Sequence, residues 1–445
     1  MRLVLFLASA LLPVIPSRAD VEIGVAVQQI ENMSTLQSLT STEMATLGVV
    51  FLKGYYSDSL SGGGAFVFRS GDPVRHLKPN AGTIIGPADA PTTCNLGCMI
   101  RETYPAATLH DFGAYGDGIH DDTGAKDRAF SGLGTEGGTL RLLPGIYLLN
   151  TPITPDRQSS QCVNIEGAGI SVSTIKATRP MDALYWRPYG VDSSACKIGG
   201  FTLDANHYSK SCLVKAGMPH SFFHDMECVH ANPDGGVATG VQFLFGTYSG
   251  ELPGSDSETV VRDVRAMPAP TARVGIWGGY SLSDSSFYDI VIAGSGTHAG
   301  VQISGGNNVL FHPHCYPYQG VDLPHSCIYD YGIGNIYIGG EFDGMTLYGI
   351  VFGASNRNSI AMGSIFTYGG RKLKYNQARG FYQEDVRSGS VVRDATCSGY
   401  GGADVSGWRL IGENFGSKAL RHAGPSRCIR DSGFEGESDD FERAQ

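Results

Sequence analysis

Two acidic residues in the C-terminal third of the chain are the first candidates for chemistry. Glu341 and Asp343 stand two positions apart in the stretch GGEFDG, so on an extended strand their side chains would share one face. A pair of carboxyl groups can break a glycosidic bond when one protonates the leaving oxygen and the other activates water or attacks directly. His314 in FHPHCYP and Asp289 in YDIVIAG are candidate partners. The predicted catalytic residues are therefore Glu341, Asp343, Asp289 and His314.

A repeated strand-and-turn pattern predicts how these residues would meet. From about residue 195, short apolar stretches can be aligned at intervals of roughly 23 to 38 residues. Because side chains alternate along a strand, the alignment predicts three outward columns. The central column contains Thr202, Glu227, Arg265, Val291, His314, Glu341 and Ser364. The second column, two residues further along, contains Asp204, Val229, Met267, Ala293, Tyr316, Asp343 and Phe366. The third column, on the other side, contains Gly200, Asp225, Asp263, Asp289, His312, Gly339 and Met362.

Such a repeat indicates a solenoid of stacked coils, with neighbouring strands about 4.8 Å apart. A β-sandwich of hairpins is the alternative, but the NG and DG turns that join hairpin strands are scarce in this sequence. We therefore predict an all-β fold, a single-stranded parallel β-helix. Carboxylates on adjacent coils would then approach the separation of a retaining pair, and those two coils apart that of an inverting pair.

The stretch HDFGAYGDGIHDDTGAKDRAF, residues 110–130, is dense in aspartate, but we interpret it as a cap on the coil stack. Its glycines allow tight turns, and the Asp-Asp-Thr at 121–123 suits a helix N-cap. The apolar side of the helix would cover the open end of the core with Ala125, Ala129 and Phe130. A calcium or catalytic site is the alternative, but a calcium loop needs ligands at regular alternating positions.

Several of these stretches resemble the pectate-lyase-like superfamily of right-handed β-helices, which includes phage tailspike depolymerases. FGAYGDGIHDDTGA, GGTLRLLPGIYLL and IEGAGISVSTIKA resemble the start of that helix, and GYYSDSLSGGGAFVFRSGD resembles the module before it in tailspike-like proteins. The resemblance covers roughly residues 50 to 400 and implies a right-handed helix, a polysaccharide substrate and a homotrimer. The NxD, DD, GHG and RxK order of polygalacturonases is absent from the repeat, so the sugar stays open.

Four segments follow from these patterns. Residues 1–19 combine one arginine, an apolar run and the small residues SRA, which predicts a signal peptide cut near Ala19. Residues 20–105 would form a small N-terminal module and linker, and residues 106–405 the β-helix. Residues 406–445 would form a C-terminal segment with an acidic, disordered tail. No later stretch is apolar enough to span a membrane, so we expect a secreted or periplasmic protein.

Composition narrows the class of partner. The formal net charge is −10 and no cluster of Lys and Arg occurs, so a nucleic-acid partner is not expected. Ten cysteines without a CxxC pair favour disulfides in an oxidising compartment over a zinc site. Spacing alone does not give their pairing.

Further residues are candidates for holding the substrate. The predicted substrate-binding residues are Arg265, Glu227, Trp277, Tyr316 and His312. Aromatic faces can cover the apolar side of a pyranose, although Trp277 is equally consistent with core burial. Glu227 and Arg265 could instead form an exposed salt bridge, which would contribute little to stability. No metal site is predicted, because His312 and His314 supply two ligands where zinc needs three or four.

The favoured function is a secreted glycoside hydrolase that degrades a polysaccharide and needs no cofactor. A polysaccharide lyase, with an Arg or Lys base and calcium, is one alternative. A non-catalytic glycan-binding surface protein is another, because no named catalytic signature is present. The signal peptide argues against a virion spike.

Overall fold

The computed structural model describes most of the chain between Val27 and Cys397. The described ranges are 27–134, 137–154, 162–182, 184–186, 195–208, 211–231, 241–247, 256–267, 273–294, 298–316, 326–343, 348–362, 365–367, 379–383, 391–393 and 396–397. The predicted signal peptide and C-terminal segment lie outside them. Within these ranges, no helix is long and apolar enough to cross a membrane.

The N-terminal unit is a five-stranded sheet with three short helices. Its strands are β1 (Gln28–Ile30), β2 (Val49–Leu52), β3 (Gly64–Arg69), β4 (Ile84–Ile85) and β5 (Cys98–Arg101). Its helices are α1 (Met33–Gln37), α2 (Ser41–Leu47) and α3 (Asp72–Arg75). β1 pairs with β2 in parallel, whereas the β2–β3, β3–β5 and β4–β5 pairs are antiparallel. Leu36, Met44 and Phe66 are fully buried in its own core.

The following described residues form two further sheets, one of 19 strands and one of eight. The larger contains β6 (Ala106–Thr108), β7 (Asp117–Asp121), β8 (Gly138–Leu142), β9 (Gly145–Leu149), β10 (Val163–Gly167), β11 (Ser173–Ala177), β13 (Lys197–Asp204), β15 (Phe222–Val229), β17 (Val260–Ala266), β19 (Ser286–Tyr288), β20 (Val291–Ala293), β22 (Val309–Phe311), β23 (His314–Tyr316), β25 (Ile336–Ile338), β26 (Glu341–Asp343), β28 (Ile360–Met362), β29 (Ile365–Thr367), β31 (Val391–Arg393) and β32 (Thr396–Cys397). The smaller contains β12 (Leu184–Trp186), β14 (Leu213–Lys215), β16 (Val241–Phe245), β18 (Val274–Gly278), β21 (Ala299–Ile303), β24 (Ser326–Asp330), β27 (Tyr348–Phe352) and β30 (Arg379–Gln383).

All the strand pairings of these two sheets are parallel. From β12 onward, each coil gives one strand to the smaller sheet and then one long or two short strands to the larger. Hairpins would instead produce antiparallel pairs. The prediction of an all-β parallel β-helix is therefore confirmed.

The core of the helix is a stack of inward side chains, one coil on the next. Strand register aligns the fully buried Leu203, Cys228, Ala266, Ile292, Cys315 and Phe342. Among the described cysteines, four disulfides join Cys94 to Cys98, Cys162 to Cys196, Cys212 to Cys228 and Cys315 to Cys327. Cys228 and Cys315 of the inward column are thereby bonded to Cys212, directly before β14, and to Cys327 in β24 of the smaller sheet. Disulfides of this number fit an oxidising compartment.

A polar ladder lies inside the helix, where sequence reasoning had not placed one. Polar residues that immediately precede successive strands of the larger sheet, from β17 to β28, are almost fully buried, namely Thr259, Ser285, Asn308, Asn335 and Ser359. The last four each accept a hydrogen bond from the backbone of the preceding coil: Asn335 Oδ1 accepts from Asn308 N at 2.9 Å, for example, and Asn308 Oδ1 from Ser285 N at 3.1 Å. Asn335 Nδ2 also donates to the buried Asp330 carboxylate at 2.8 Å. The ladder satisfies backbone amides at a turn that no strand pairing covers.

A short helix, α4 (Thr123–Leu133), closes the N-terminal end of the core. Ala125, Ala129 and Phe130 are buried in the main hydrophobic cluster, which confirms the predicted capping helix. The cap differs in detail, because the Asp122 side chain makes no helix-capping bond. Its carboxylate instead accepts from Tyr115 N at 2.7 Å, and Asp121 Oδ1 accepts from Thr123 N at 3.0 Å.

Removing one rung of the polar ladder should destabilise the whole coil stack. Asn335→Ala removes the acceptor of the Asn308 amide and one of the donors to the buried Asp330 carboxylate, so the free energy of unfolding should fall by about 3 kcal/mol. Urea titration followed by circular dichroism measures this loss. Ser355→Ala, which removes an exposed bond to Tyr331 O, should cost well under 1 kcal/mol by the same rule. Equal losses in both variants would contradict a structural role for the ladder.

The capping aspartate should give stability a defined pH dependence. Burial raises the pKa of the Asp122 carboxyl from 3.8 to about 6, so the folded protein keeps a proton that the unfolded chain has already released. The free energy of unfolding should therefore decrease as the pH rises from about 4 to about 6, by at most about 3 kcal/mol. Asp122→Asn should flatten this decrease in urea titrations across that range.

Asp117→Asn is the matched control for that experiment. Backbone hydrogen bonding from His120 lowers the pKa of the Asp117 carboxyl to about 2, so its contribution is lost only as the pH falls below about 4. The control should keep the slope between pH 4 and 6. A slope that Asp122→Asn leaves unchanged would show that another group carries it.

Candidate active site

Strand register places the predicted central column in one line. Glu227 pairs with Arg265, Arg265 with Val291, Val291 with His314 and His314 with Glu341. The sequence alignment slipped by one residue at the coil of β28 and β29, where Glu341 pairs with Ile365 rather than Ser364. Likewise, Asp343 pairs with Thr367 rather than Phe366, and Met362 pairs with Ile338 rather than Gly339. A slip of one residue moves each side chain to the opposite face of its strand.

The third column marks the bend between the two strand segments of each coil. Its residues from Gly200 to Gly339 adopt left-handed backbone, at Gly200 (φ 79°), Asp225 (48°), Asp263 (51°), Asp289 (51°), His312 (49°) and Gly339 (68°). Aspartate tolerates this region better than most residues. The bend turns the third column and the central column toward each other across each coil, so side chains two positions apart can face one shallow space.

Three successive coils form such a space, a concavity of about 400 Å³. It is lined by Asp289, Val291, His312, His314, Gly339, Gly340 and Glu341. His312 Nδ1 lies 3.6 Å from Asp289 Oδ1, and both side chains are more than half exposed. His314 is half-buried and Glu341 is exposed. Asp289, His314 and Glu341, three of the four predicted catalytic residues, therefore line one concavity with His312.

A missing side chain makes room for one of the imidazoles. A Cβ at Gly339 would lie 2.5 Å from His312 Cδ2, so any other residue there would displace the ring. Gly339 also has a left-handed φ of 68°, which side-chain-bearing residues adopt at a cost. Gly339, which directly follows strand β25, thus leaves room for His312 beside Asp289.

Aromatic side chains flank the concavity on both sides. Tyr288 and Phe311 stand one position before Asp289 and His312, and their rings stack at 4.8 Å with a 2° angle between their planes. On the other side, the Tyr316 ring lies 4.9 Å from His314. Sequence reasoning had named Tyr316 but missed Tyr288 and Phe311. Their position directly before the third column was the signal that could have identified them.

Other predicted substrate-binding residues lie elsewhere. Trp277 is 6% exposed on the smaller sheet, packs with Leu244 and Val274, and donates to Ser304 Oγ at 3.1 Å. Trp277 is therefore buried among apolar residues, which is the alternative that the sequence left open. Asp343, the fourth predicted catalytic residue, lies with Glu341 in strand β26. Its side chain is outside the part of the chain that the structure describes.

Glu227 and Arg265 form the salt bridge that the sequence offered as an alternative, with Arg265 Nη1 donating to Glu227 Oε1, but its glutamate end is buried rather than exposed. The Glu227 side chain is 9% exposed, while that of Arg265 is 46% exposed, and their closest atoms are 3.4 Å apart. Thr202 Oγ1 also donates to Glu227, at 3.4 Å. A carboxylate withdrawn from water in this way needs such partners.

Within the described ranges, no group of three or more His, Cys, Asp or Glu side chains is arranged to hold a metal ion. Among the residues that the structure describes, the lining of the concavity contains two carboxylates and two imidazoles. It can therefore donate and accept protons.

Solved structures with the same coil identify the fold. The gp42 tailspike of Acinetobacter phage vb_AbaP_AS12 has a TM-score of 0.58 and 11% identity, covering 90% of this chain and 70% of that one. ORF18 of Geobacillus virus E2 has a TM-score of 0.51 and 14% identity, covering 84% and 71%. The chain has the pectate-lyase-like, right-handed parallel β-helix fold. No protein-family model matches the sequence, and no curated protein is similar to it.

A third similar structure is the enzymatically active domain of tailspike protein 2 of bacteriophage CBA120. It has a TM-score of 0.50 and 12% identity, and the match covers 92% of this chain but only 57% of that one. At such identities the likeness establishes the fold of this β-helix and nothing about its chemistry.

Replacing the positioning glycine should move one imidazole. In Gly339→Ala, the new Cβ would push the His312 ring away from Asp289, so the NMR signals of the His312 side chain should shift. Gly334→Ala is the matched control, since Gly334 has a similar φ of 70° but its Cβ would meet Asn307 instead. Unchanged His312 signals in Gly339→Ala, or equal shifts in both variants, would contradict the positioning role.

Proposed function

We propose that the protein is a carbohydrate-active enzyme that hydrolyses a glycosidic bond of a polysaccharide in the concavity of Asp289, His312, His314 and Glu341. The observation that carries this proposal is the meeting of two carboxylates from different coils in one open space with two imidazoles. The proposed reaction needs no metal or other cofactor, because carboxyl groups supply both the acid and the base.

The separation of the two carboxylates supports an inverting reaction. Asp289 is in register with His312, and His314 with Glu341, so the two acids stand two coils apart. Two coil spacings place their strands about 10 Å apart, well beyond the roughly 5 Å of a retaining pair and close to the inverting range. In this proposal Glu341 protonates the leaving oxygen, while Asp289, beside His312, activates the water.

The surface around the concavity suits a long, unbranched substrate. It is open and lies on one face of stacked coils, so a chain running along the helix axis would meet equivalent positions at each coil. The stacked Tyr288 and Phe311 rings offer an apolar platform beside the reacting bond, and Tyr316 offers another. Ligand sites commonly combine aromatic surface with a few polar groups that fix the orientation of the ligand.

The similar structures support the general class. One is the enzymatically active domain of a phage tailspike, and another is itself a tailspike. By this likeness we extend an enzymatic activity to the present chain, and we propose a polysaccharide as its substrate and a trimer as its working assembly. The four disulfides support work outside the cytoplasm, in the medium or the periplasm.

Loss of either carboxylate should abolish turnover without unfolding the protein. Glu341→Gln and Asp289→Asn should each lower kcat by roughly 100-fold or more, because each removes a proton-transfer step. Release of reducing ends from a panel of bacterial and plant polysaccharides measures the activity. The first product should carry an inverted anomeric configuration, which NMR detects.

Two matched variants control for the charge and for the backbone. Asp263→Asn changes an aspartate of the third column that has the same φ as Asp289, 51°. Glu258→Gln changes an exposed glutamate paired with His220. Both should keep full activity. Full activity in Glu341→Gln and Asp289→Asn would reject this site. Unsaturated products would indicate a lyase, and saturable binding without cleavage would indicate a glycan-binding protein.

A further inference from the structure

A second cleft, of about 800 Å³, lies between the N-terminal unit and the capping helix α4. One wall is the loop before β4, which contributes Lys78, Asn80 and Ala81. The other wall is the exposed side of α4, which contributes Asp127, Arg128 and Ser131. The cleft has about twice the volume of the candidate active site, and none of its residues lines that site.

The loop that forms one wall of this cleft is held in its shape by its own hydrogen bonds. Asn80 Oδ1 accepts hydrogen bonds from the amides of Gly82, Thr83 and Ile84, at 3.1, 2.8 and 3.0 Å. Ala81 is held in a left-handed conformation with a φ of 56°, which an alanine adopts only when its surroundings impose it. The cleft is therefore preformed, and a ligand would not have to order this loop.

Contact between the two walls also prevents the cleft from collapsing. A Cβ at Gly132 of α4 would lie 2.5 Å from Asn80 Cβ, so the helix backbone already touches the loop. Gly82 packs equally closely on the ring of Phe112, which belongs to the main core. These contacts of the helix and of the loop fix the volume of the cleft that lies above them.

The charge of the lining favours an anionic ligand. Lys78 and Arg128 are cations, while the Asp127 carboxylate already lies 2.6 Å from Lys126 Nζ. Arg128 is held in place because its Nε and Nη2 atoms donate to Phe112 O at 2.9 and 2.7 Å. In a chain of formal net charge −10, two cations beside a neutralised carboxylate form a local positive site.

We propose that this junction cleft binds an acidic sugar unit, with the carboxylate of the sugar directed to Lys78 and Arg128. The amide of Gln37 and the hydroxyl of Ser131 would face sugar hydroxyls, and Pro79 and Pro91 offer apolar contact. The proposal goes beyond the hydrolytic function and involves no residue of the concavity.

Titration calorimetry with a short oligogalacturonide tests this proposal. The full-length Glu341→Gln protein serves as the parent, so that turnover does not consume the probe. Lys78→Glu should weaken binding by about tenfold or more, because it replaces a charge-assisted bond with repulsion. Ser131→Trp should block binding by filling the cleft. Lys53→Glu, which alters an exposed lysine paired with Glu31 outside the cleft, should bind as the parent does.

Two further probes separate a sugar site from a simple anion site. The carboxyl-reduced oligomer should not bind, and acetate at equal concentration should not compete with the oligogalacturonide. Competition by acetate would overturn the proposal, as would unchanged binding in both Lys78→Glu and Ser131→Trp. The kcat loss of Glu341→Gln is measured separately, so hydrolysis can be confirmed when the cleft proposal fails, and the reverse.

Discussion

The structure depends on parallel strands stacked coil on coil in constant register. Each inward side chain rests on its equivalent in the next coil, so the core is a continuous column. The same register holds outward side chains about 4.8 Å apart. Residues that are 20 to 40 positions apart in sequence thereby become neighbours, as His314 and Glu341 do. The candidate site is a direct consequence of this stacking.

The bend in the larger sheet turns a flat row of side chains into a site. Left-handed residues repeat at one position from Gly200 to Gly339, and a second series runs through His220, Glu258, Asp284, Asn307, Gly334 and Asn358. Asp, Asn, His and Gly suit this backbone, so the residue types that allow the bend are also types that can do chemistry. At Asp289 and His312 the two roles coincide.

Buried polar groups keep the coils in register where strand pairing stops. The Asn and Ser ladder satisfies amides at the turn, and Lys215 and Asp256 form a fully buried ion pair at 2.8 Å. Burial lowers the pKa of Lys215 and raises that of Asp330, so both depend on their hydrogen-bond partners. At the N-terminal end, Arg101 joins the two units, since it lies 3.1 Å from Asp111 and donates to carbonyls of Gly62, Gly63 and Gly82.

The sequence by itself determined the coil, the cap and the central column, because apolar periodicity and turn glycines are local signals that repeat. It could not determine the register of the coil of β28 and β29, since this coil is one residue longer than the alignment assumed and Ile365 takes the place expected for Ser364. Nor could it separate Trp277, buried on the smaller sheet, from an aromatic at the groove. Only the tertiary structure decided that Asp289, His312, His314 and Glu341 share one space. That outcome depends on the direction of each bend, which is set by packing between coils.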